Sequence, residues 1–191
     1  ENSVALGDGT VHLRGHSSIK GKLTWDGVRN SPSSQQRFRI WPTSGKTSVV
    51  TVDDDATLAI DGSQTFFYIS YNTAGARAIL NWNSSQTLSA ANTFAVGYMR
   101  GYGEVNMTRG QIKAGGYGFR VAQSGIVPVD GNCVTGVVNI TGGSVLNSNA
   151  WTGYESVQGL IVGAGTVSSL TDPGFYRATV KLSGGAVTNE S

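Results

Sequence analysis

Three consecutive carboxylates, Asp53, Asp54 and Asp55, form the densest group of side chains in this sequence that could do chemistry. Paired carboxylates serve as general acid and base in polysaccharide cleavage, and several oxygen ligands together can bind Ca²⁺. A catalytic site would need a further acid facing this run, and the corresponding turns of the repeat described below contain none. The run therefore favours a solvated acidic turn. We predict no enzyme activity, no bound metal and no cofactor, and a polysaccharide lyase or hydrolase is the least favoured alternative.

Other reactive residue types give weaker signals. His12 and His16 bracket a second turn, but spacing alone is poor evidence for a metal site. No serine lies in a nucleophile-elbow motif. The glycine-rich stretch at residues 101–103 does not join a strand to a helix, so it is not a phosphate-binding loop.

Aromatic residues beside turns are candidates for contact with sugars, since exposed rings stack on apolar ligand surfaces. The candidate ligand contacts are Trp25, Trp41, Tyr98 and Trp151. The alternative is that these rings cover the corners of the fold. Asn-x-Ser/Thr sequons give four candidate glycosylation sites, at Asn83, Asn106, Asn139 and Asn189. In a chain rich in Asn, Ser and Thr, such sequons also arise by chance.

The composition indicates an all-β protein. Of 191 residues, 27 are glycine and only 14% are charged, a composition that disfavours helices and suits short strands joined by turns. A net charge of +2 with scattered Lys and Arg predicts no nucleic-acid partner. The sequence contains no apolar run long enough for a membrane-spanning helix. The single cysteine, Cys133, cannot form an internal disulfide, and we expect a buried thiol.

A repeat emerges when the chain is compared with itself. The segment VNITGGSV at residues 138–145 returns as VKLSGGAV at 180–187 and as VNMTRGQI at 105–112. Looser copies begin at Leu80, Val50 and Val11. Each copy alternates apolar and polar residues, passes a polar turn and starts a second strand. A third strand follows in the segments at 38–40, 67–69, 94–96, 119–121 and 160–162.

Every first strand of the repeat resembles the other first strands, and every third strand resembles the other third strands. This pattern predicts a right-handed parallel β-helix, or β-solenoid, of about six imperfect three-strand coils. Like strands stack on like in a solenoid, and insertions of different length fall in the turns. A β-sandwich or jelly roll is the alternative, but it would show hairpin signals. We expect one solenoid domain over residues 1–191.

Asparagine recurs at one outward position of the first strand. The stack reads His12, Thr51, Asn81, Asn106, Asn139 and Lys181. Side-chain amides at strand spacing can bond to one another along the axis, which predicts an amide ladder. The alternative is that asparagine is simply tolerated on a solvated face.

The segments GVVNITGGSV at 136–145, GLIVGAG at 159–165 and LSGGAV at 182–187 resemble autotransporter-type β-strand repeats. The resemblance covers residues 104–190 well and the first half of the chain loosely. Repeats of this type occur in large bacterial surface and secreted proteins. The resemblance therefore implies a parallel β-helix and an extracellular or cell-surface location. It carries no shared catalytic residues.

Both ends of the sequence read as incomplete coils. The segment around Val4, Ala5 and Leu6 is similar to a third strand, and the chain stops in a second strand after Val187. Solenoids open at both ends expose unpaired edges unless they are capped or stacked. We therefore predict a structural subunit of an extracellular filament or surface layer that polymerises head to tail. The predicted assembly residues are Val4, Ala5, Leu6, Val180, Leu182 and Val187. The runner-up is a carbohydrate-binding or adhesin module of a larger surface protein, with glycans as partners.

Overall fold

The computed structural model describes residues 10–25, 36–60, 65–124, 133–148, 160–165 and 176–190, which form eighteen β-strands in three parallel sheets. Sheet A contains β1 (Thr10–Leu13), β4 (Gln36–Ile40), β7 (Thr65–Tyr71), β10 (Thr93–Tyr98), β13 (Gly118–Ser124) and β16 (Leu160–Gly165). Sheet B contains β2 (His16–Ile19), β5 (Thr47–Val52), β8 (Arg77–Trp82), β11 (Gly101–Met107), β14 (Val134–Ile140) and β17 (Tyr176–Leu182). Sheet C contains β3 (Lys22–Trp25), β6 (Thr57–Ile60), β9 (Thr87–Ala90), β12 (Gln111–Ala114), β15 (Ser144–Ser148) and β18 (Ala186–Glu190).

Every third strand joins the same sheet, so the chain winds as a parallel β-helix with three strands per coil, as the repeat predicts. All strand pairs among the described residues are parallel, and each strand of an inner coil pairs with its counterparts in the coils above and below. Six strands per sheet at a spacing of ~4.8 Å give a rod roughly 30 Å long.

The first coil differs from the sequence prediction. The segment beginning at Val11 was predicted to be a first strand, yet Leu13 pairs with Ile40, which places β1 among the third strands. The first strand of this coil is β2, where Ile19 pairs with Val52, and the second strand is β3. The prediction was wrong because four residues are enough to show alternation but too few to show whether a strand is the first, second or third of its coil. His12 consequently leaves the predicted asparagine stack, and Ser18 takes the position that pairs with Thr51.

The core is a set of columns that run along the axis. Phenylalanine forms one of them in sheet A, where Phe38, Phe67, Phe94 and Phe119 occupy equivalent positions and are almost fully buried. Their successive ring centroids lie 5.1, 4.9 and 5.0 Å apart. Aromatic pairs at such distances add to the stabilisation that burial alone provides. The predicted inward positions, Trp82 among them, therefore form the core as expected.

A small residue near the end of the third strand bends the chain before it passes from sheet A to sheet B. Ser70, Gly97, Ala122 and Gly163 all adopt positive φ, between 53° and 73°. Each is skipped in the strand register, since the residues before and after it pair with their counterparts while the bend residue itself does not. Glycine reaches this conformation without steric cost, whereas any residue with a Cβ atom is destabilised in it by a close contact with the backbone.

Glycine pairs in the turns between sheets B and C have a different cause. A Cβ atom at Gly142 would lie 2.2 Å from the carbonyl oxygen of Thr108, and one at Gly184 would lie 2.2 Å from that of Thr141. The turns of successive coils therefore stack backbone on backbone, with no room for a side chain. This close approach explains the Gly-Gly element of the repeat.

Candidate functional site

The acidic run at residues 53–55 belongs to a stack of polar turns between sheets B and C. Asp53 accepts a hydrogen bond from Nδ2 of Asn83 at 3.2 Å, and Asp55 accepts one from the hydroxyl of Ser85 at 2.8 Å. Asp54 forms an exposed ion pair with Arg109 at 3.4 Å. The three carboxylates therefore bond to the next coils instead of converging on one point.

Within the described part of the chain, no group of three or more His, Cys, Asp and Glu residues could hold a metal ion. His16 is exposed on β2. The side chain of His12 lies outside the described residues, and so does the two-histidine metal site that the sequence offers only as a weak alternative.

The predicted amide ladder is present on the outer face of sheet B. Asn139 donates to Oδ1 of Asn106 at 2.8 Å, Asn106 donates to Oδ1 of Asn81 at 3.0 Å, and Asn81 donates to the hydroxyl of Thr51 at 3.4 Å. The residues are direct register partners in successive strands. Every link points the same way along the axis, so the ladder fixes the alignment of four coils.

Glu104 accepts a further hydrogen bond from the ladder, donated by Asn106. Its carboxylate accepts hydrogen bonds from Arg77 at 2.9 Å, Tyr102 at 2.6 Å and Asn106 at 3.0 Å. Burial alone would raise the pKa of Glu104, but these three donors outweigh it and hold that pKa below its ordinary value. Burial and the bond to Glu104 raise the pKa of Tyr102 to about 12. The group is a charged anchor between neighbouring coils.

The four sequons have unequal surroundings. Asn106 and Asn139 lie on the outer face as predicted, but both use Nδ2, the atom that would carry a glycan, as a donor in the ladder. Asn83 likewise donates through Nδ2 to Asp53. The side chain of Asn189 lies outside the described residues. Glycosylation stays a prediction. At Asn106, whose Nδ2 atom donates two hydrogen bonds, an attached glycan would remove one of them.

Two of the four predicted ligand-contact aromatics lie on the outer face of sheet A. Trp41 and Tyr98 pack against a cluster made by Phe66, Tyr68 and Tyr71. The rings contact one another closely, with centroids 4.7 Å apart for Tyr68 and Tyr98 and 5.5 Å apart for Tyr71 and Tyr98. The side chain of Trp25 and all of Trp151 lie outside the described residues.

Arginine side chains surround these rings. The guanidinium of Arg39 lies 3.9 Å from the centroid of Tyr71 and 4.9 Å from that of Trp41, and Arg37 lies 5.1 Å from Tyr71. Arg120 reaches over the ring of Tyr117 at 5.2 Å. Burial lowers the pKa of both Arg39 and Arg120. We call the set Arg37, Arg39, Tyr68, Tyr71, Tyr98 and Arg120 the Arg–Tyr face.

Sequence reasoning missed most of this face, although the signal was present. The middle residues of the third strands, Arg39, Tyr68, Ala95 and Arg120, are direct register partners. Because inward phenylalanines flank them in sequence, they must point outward. Aligning the outward positions, and not only the inward ones, would have revealed the stack.

Apolar core residues are uncovered at the other candidate site, the end formed by β16, β17 and β18. Val162 is 46% exposed and Leu182 is 50% exposed, although both occupy inward positions. Val180 and Val187 are half-buried neighbours that pack against the core. Of the predicted assembly residues, Val180, Leu182 and Val187 therefore lie together at this end. Val4, Ala5 and Leu6 lie outside the described residues.

A shallow cleft of about 320 Å³ opens where sheets A and B meet, lined in part by Arg77, Tyr102, Cys133 and Thr135. The Cys133 side chain is half-buried, whereas we expected it to be fully buried. The guanidinium of Arg77 already pairs with Glu104. Among the described residues that line it, the cleft therefore presents no unused charged group.

No protein-family model matches the chain, and no curated protein or solved structure matches it significantly. The likeness to autotransporter-type repeats accordingly stays a prediction from the sequence. None of the described residues belongs to a helix long and apolar enough to cross a membrane.

Proposed function

We propose that the chain is a structural subunit of an extracellular filament or surface layer, in which solenoids stack head to tail. The observation that carries the proposal is the exposed core at the end formed by β16, β17 and β18, where Val162 and Leu182 are about half exposed. Covering them with another layer of strands would bury apolar surface, which stabilises an assembly by about 25 cal/mol per Å².

The opposite end of the rod presents matching residues. Leu13, Ile19 and Leu23 occupy the same register columns as Val162, Leu182 and Val187, respectively. All three are half-buried apolar residues that pack against the core. A second copy placed on the exposed end would therefore continue each column with an apolar residue. Its strands would also supply main-chain hydrogen bonds, as in strand addition.

A contact between two different ends of the same molecule does not close on itself and produces an open filament. The extracellular setting rests on the resemblance to surface repeats. The alternative function, a carbohydrate-binding or adhesin module, is supported by a separate observation, the partly exposed rings of Trp41 and Tyr98.

The test is electron microscopy of the purified chain at increasing concentration, followed by helical reconstruction. We expect fibres with an axial rise of roughly 30 Å, one rod of six stacked coils. Leu182→Lys should abolish the fibres, because the charge would be buried at the junction without a partner. Leu182 is half exposed in the single subunit, so the variant should still fold.

Thr188→Lys is the matched control. It adds the same charge to the same end, but on β18 it stands beside the inward Val187 and faces outward. Fibres should persist in this variant. Isolated rods at every concentration, or fibres that survive Leu182→Lys, would contradict head-to-tail stacking.

A further inference from the structure

A histidine stands on the outer face of the end coil formed by β1, β2 and β3. His16 begins β2, and its side chain is exposed, whereas the alternate residues Ser17 and Ile19 are half-buried. The register column of His16 starts with Val49 and ends, at the opposite end of the rod, with Thr179. Head-to-tail stacking would therefore place His16 directly beside Thr179 of the neighbouring copy.

Two cations flank Thr179 on its strand. Arg177 and Lys181 lie two residues to either side of it on β17 and are exposed like Thr179, so all three face outward. Within the described residues, neither cation takes part in an ion pair. A strand spacing of ~4.8 Å and a rise of ~3.3 Å per residue place each of them about 8 Å from His16 across the junction.

The surroundings of His16 within its own subunit do not offset these charges. The strand packed against it, β5, presents only threonine and valine on its outer face. The charged residues on either side of β2 are Arg14 and Lys20, which are both basic. Protonated His16 would therefore meet positive charge on both sides of the junction.

The carboxylates of the neighbouring coils lie farther away than the two cations. Among the described residues, Asp53 is in the turn after β5, four residues beyond the register partner of His16. Glu104 shares the register column of His16 but lies three strand spacings from it, ~14 Å along the axis. Its carboxylate already accepts three hydrogen bonds.

We propose that protonation of His16 weakens the head-to-tail junction, so that filaments form at neutral pH and release subunits in mild acid. This inference rests on the proposed function, since it concerns the same junction. Histidine is neutral above about pH 6.5 and gains a positive charge below it. The charged ring would stand between Arg177 and Lys181 of the neighbouring copy, and a free subunit has no such neighbours. The assembled state therefore binds fewer protons than the free subunit, and assembly weakens as the pH falls.

The size of the effect follows from Coulomb's law. Two pairs of like charges, each about 8 Å apart in a water-like dielectric, should weaken the junction about fivefold. Pelleting assays on the full chain measure this as the critical concentration for fibre assembly at about pH 7.5 and about pH 5.5. At an ionic strength of about 10 mM, where the Debye length is ~30 Å, we expect it to rise about fivefold in acid.

Substitutions of His16 test the assignment. His16→Gln should assemble at the same critical concentration at both pH values, because no charge is gained. His16→Lys is charged at both pH values and should show the higher critical concentration at both. His16 is exposed, so both variants should fold, and circular dichroism melts at each pH establish this before assembly.

His12→Gln is the matched control, because it removes the only other histidine in the sequence, which lies on β1 in sheet A. This variant should keep the fivefold response to acid. If the response is lost in His12→Gln and kept in His16→Gln, the assignment to His16 is wrong.

Salt separates charge repulsion from other effects of acid. At an ionic strength of about 1 M the Debye length is ~3 Å, so charges about 8 Å apart are screened and the pH response should disappear. A response that persists in high salt would overturn the proposal. Fibres with the same critical concentration at both pH values in low salt would also overturn it, while leaving head-to-tail stacking intact. An absence of fibres at both pH values would overturn both.

Discussion

Replacing Gly97 by alanine should destabilise the solenoid far more than the same change at Gly163. Both residues occupy the bend between sheets A and B, and their φ angles are +73° and +69°. An alanine in this left-handed conformation costs about 1–2 kcal/mol at either position. The decisive difference between the two positions is what the added methyl group meets.

At Gly97 the new Cβ would lie 2.3 Å from the carbonyl oxygen of Thr135 and 2.8 Å from its carbonyl carbon. These are backbone atoms of β14, which cannot move without disturbing sheet B. Overpacking of this kind adds about 1–3 kcal/mol. At Gly163 the nearest atom is the Cβ of Ala178 at 3.7 Å, an ordinary contact. The free energy of unfolding should therefore fall by about 2 kcal/mol more for Gly97→Ala than for Gly163→Ala.

The assay is urea unfolding followed by far-UV circular dichroism on both variants and on Ala122→Gly. Ala122 holds the equivalent bend in a central coil at φ +53°, which shows that this bend accepts an alanine where space allows. Its change to glycine relieves backbone strain but loses a buried methyl group, so stability should change by less than about 1 kcal/mol. Equal losses for the two glycine variants would refute the steric argument, because only the backbone angle would then matter.

Two further predictions concern the outer face of sheet B. Asn106→Ala removes two donated hydrogen bonds and one accepted bond, and should lower the free energy of unfolding in urea by about 1–3 kcal/mol. Thr51→Val is the control, because it loses only the 3.4 Å hydrogen bond from Asn81 at the end of the ladder. It should lower the free energy of unfolding by less than about 1 kcal/mol. The pKa of Glu104 is held low in the folded chain, so its stabilising effect is complete above the ordinary carboxyl pKa of ~4.3 and disappears as the pH falls through the lower folded value. Glu104→Gln should therefore be less stable than the unmodified chain at pH 7, and the gap should close on acidification; a gap that is the same at pH 7 and pH 3 would contradict this account.

The fold was predictable because like strands repeat in sequence. The columns built on Phe38, Phe67, Phe94 and Phe119 follow directly from aligning the third strands, and the structure pairs these residues as the alignment predicts. The first coil was not predictable in the same way. Its strands have four residues each, and alternation over so short a length does not distinguish β1 from β2.

The outer surfaces were harder to predict than the core. The asparagine ladder was visible because one residue type recurs at one position, yet Glu104 joins it from two residues away on the same strand. The Arg–Tyr face was harder to see, since its equivalent positions hold three residue types in four coils, at Arg39, Tyr68, Ala95 and Arg120. Burial selects for a similar residue in every coil, whereas an outward position is free to vary.

The coil-to-coil register has a consequence for the history of this chain. Leu80 and Val105 are direct partners, and so are Val105 and Val138, so residues 25 and 33 apart in sequence do the same structural work. Deleting residues 80–104 would join Ile79 to Val105 at matching points of the helix, and every remaining column would close up by one step. The molecule can therefore lengthen or shorten by the gain or loss of whole coils. Its length is open to adjustment by internal duplication and deletion, while its cross-section is preserved.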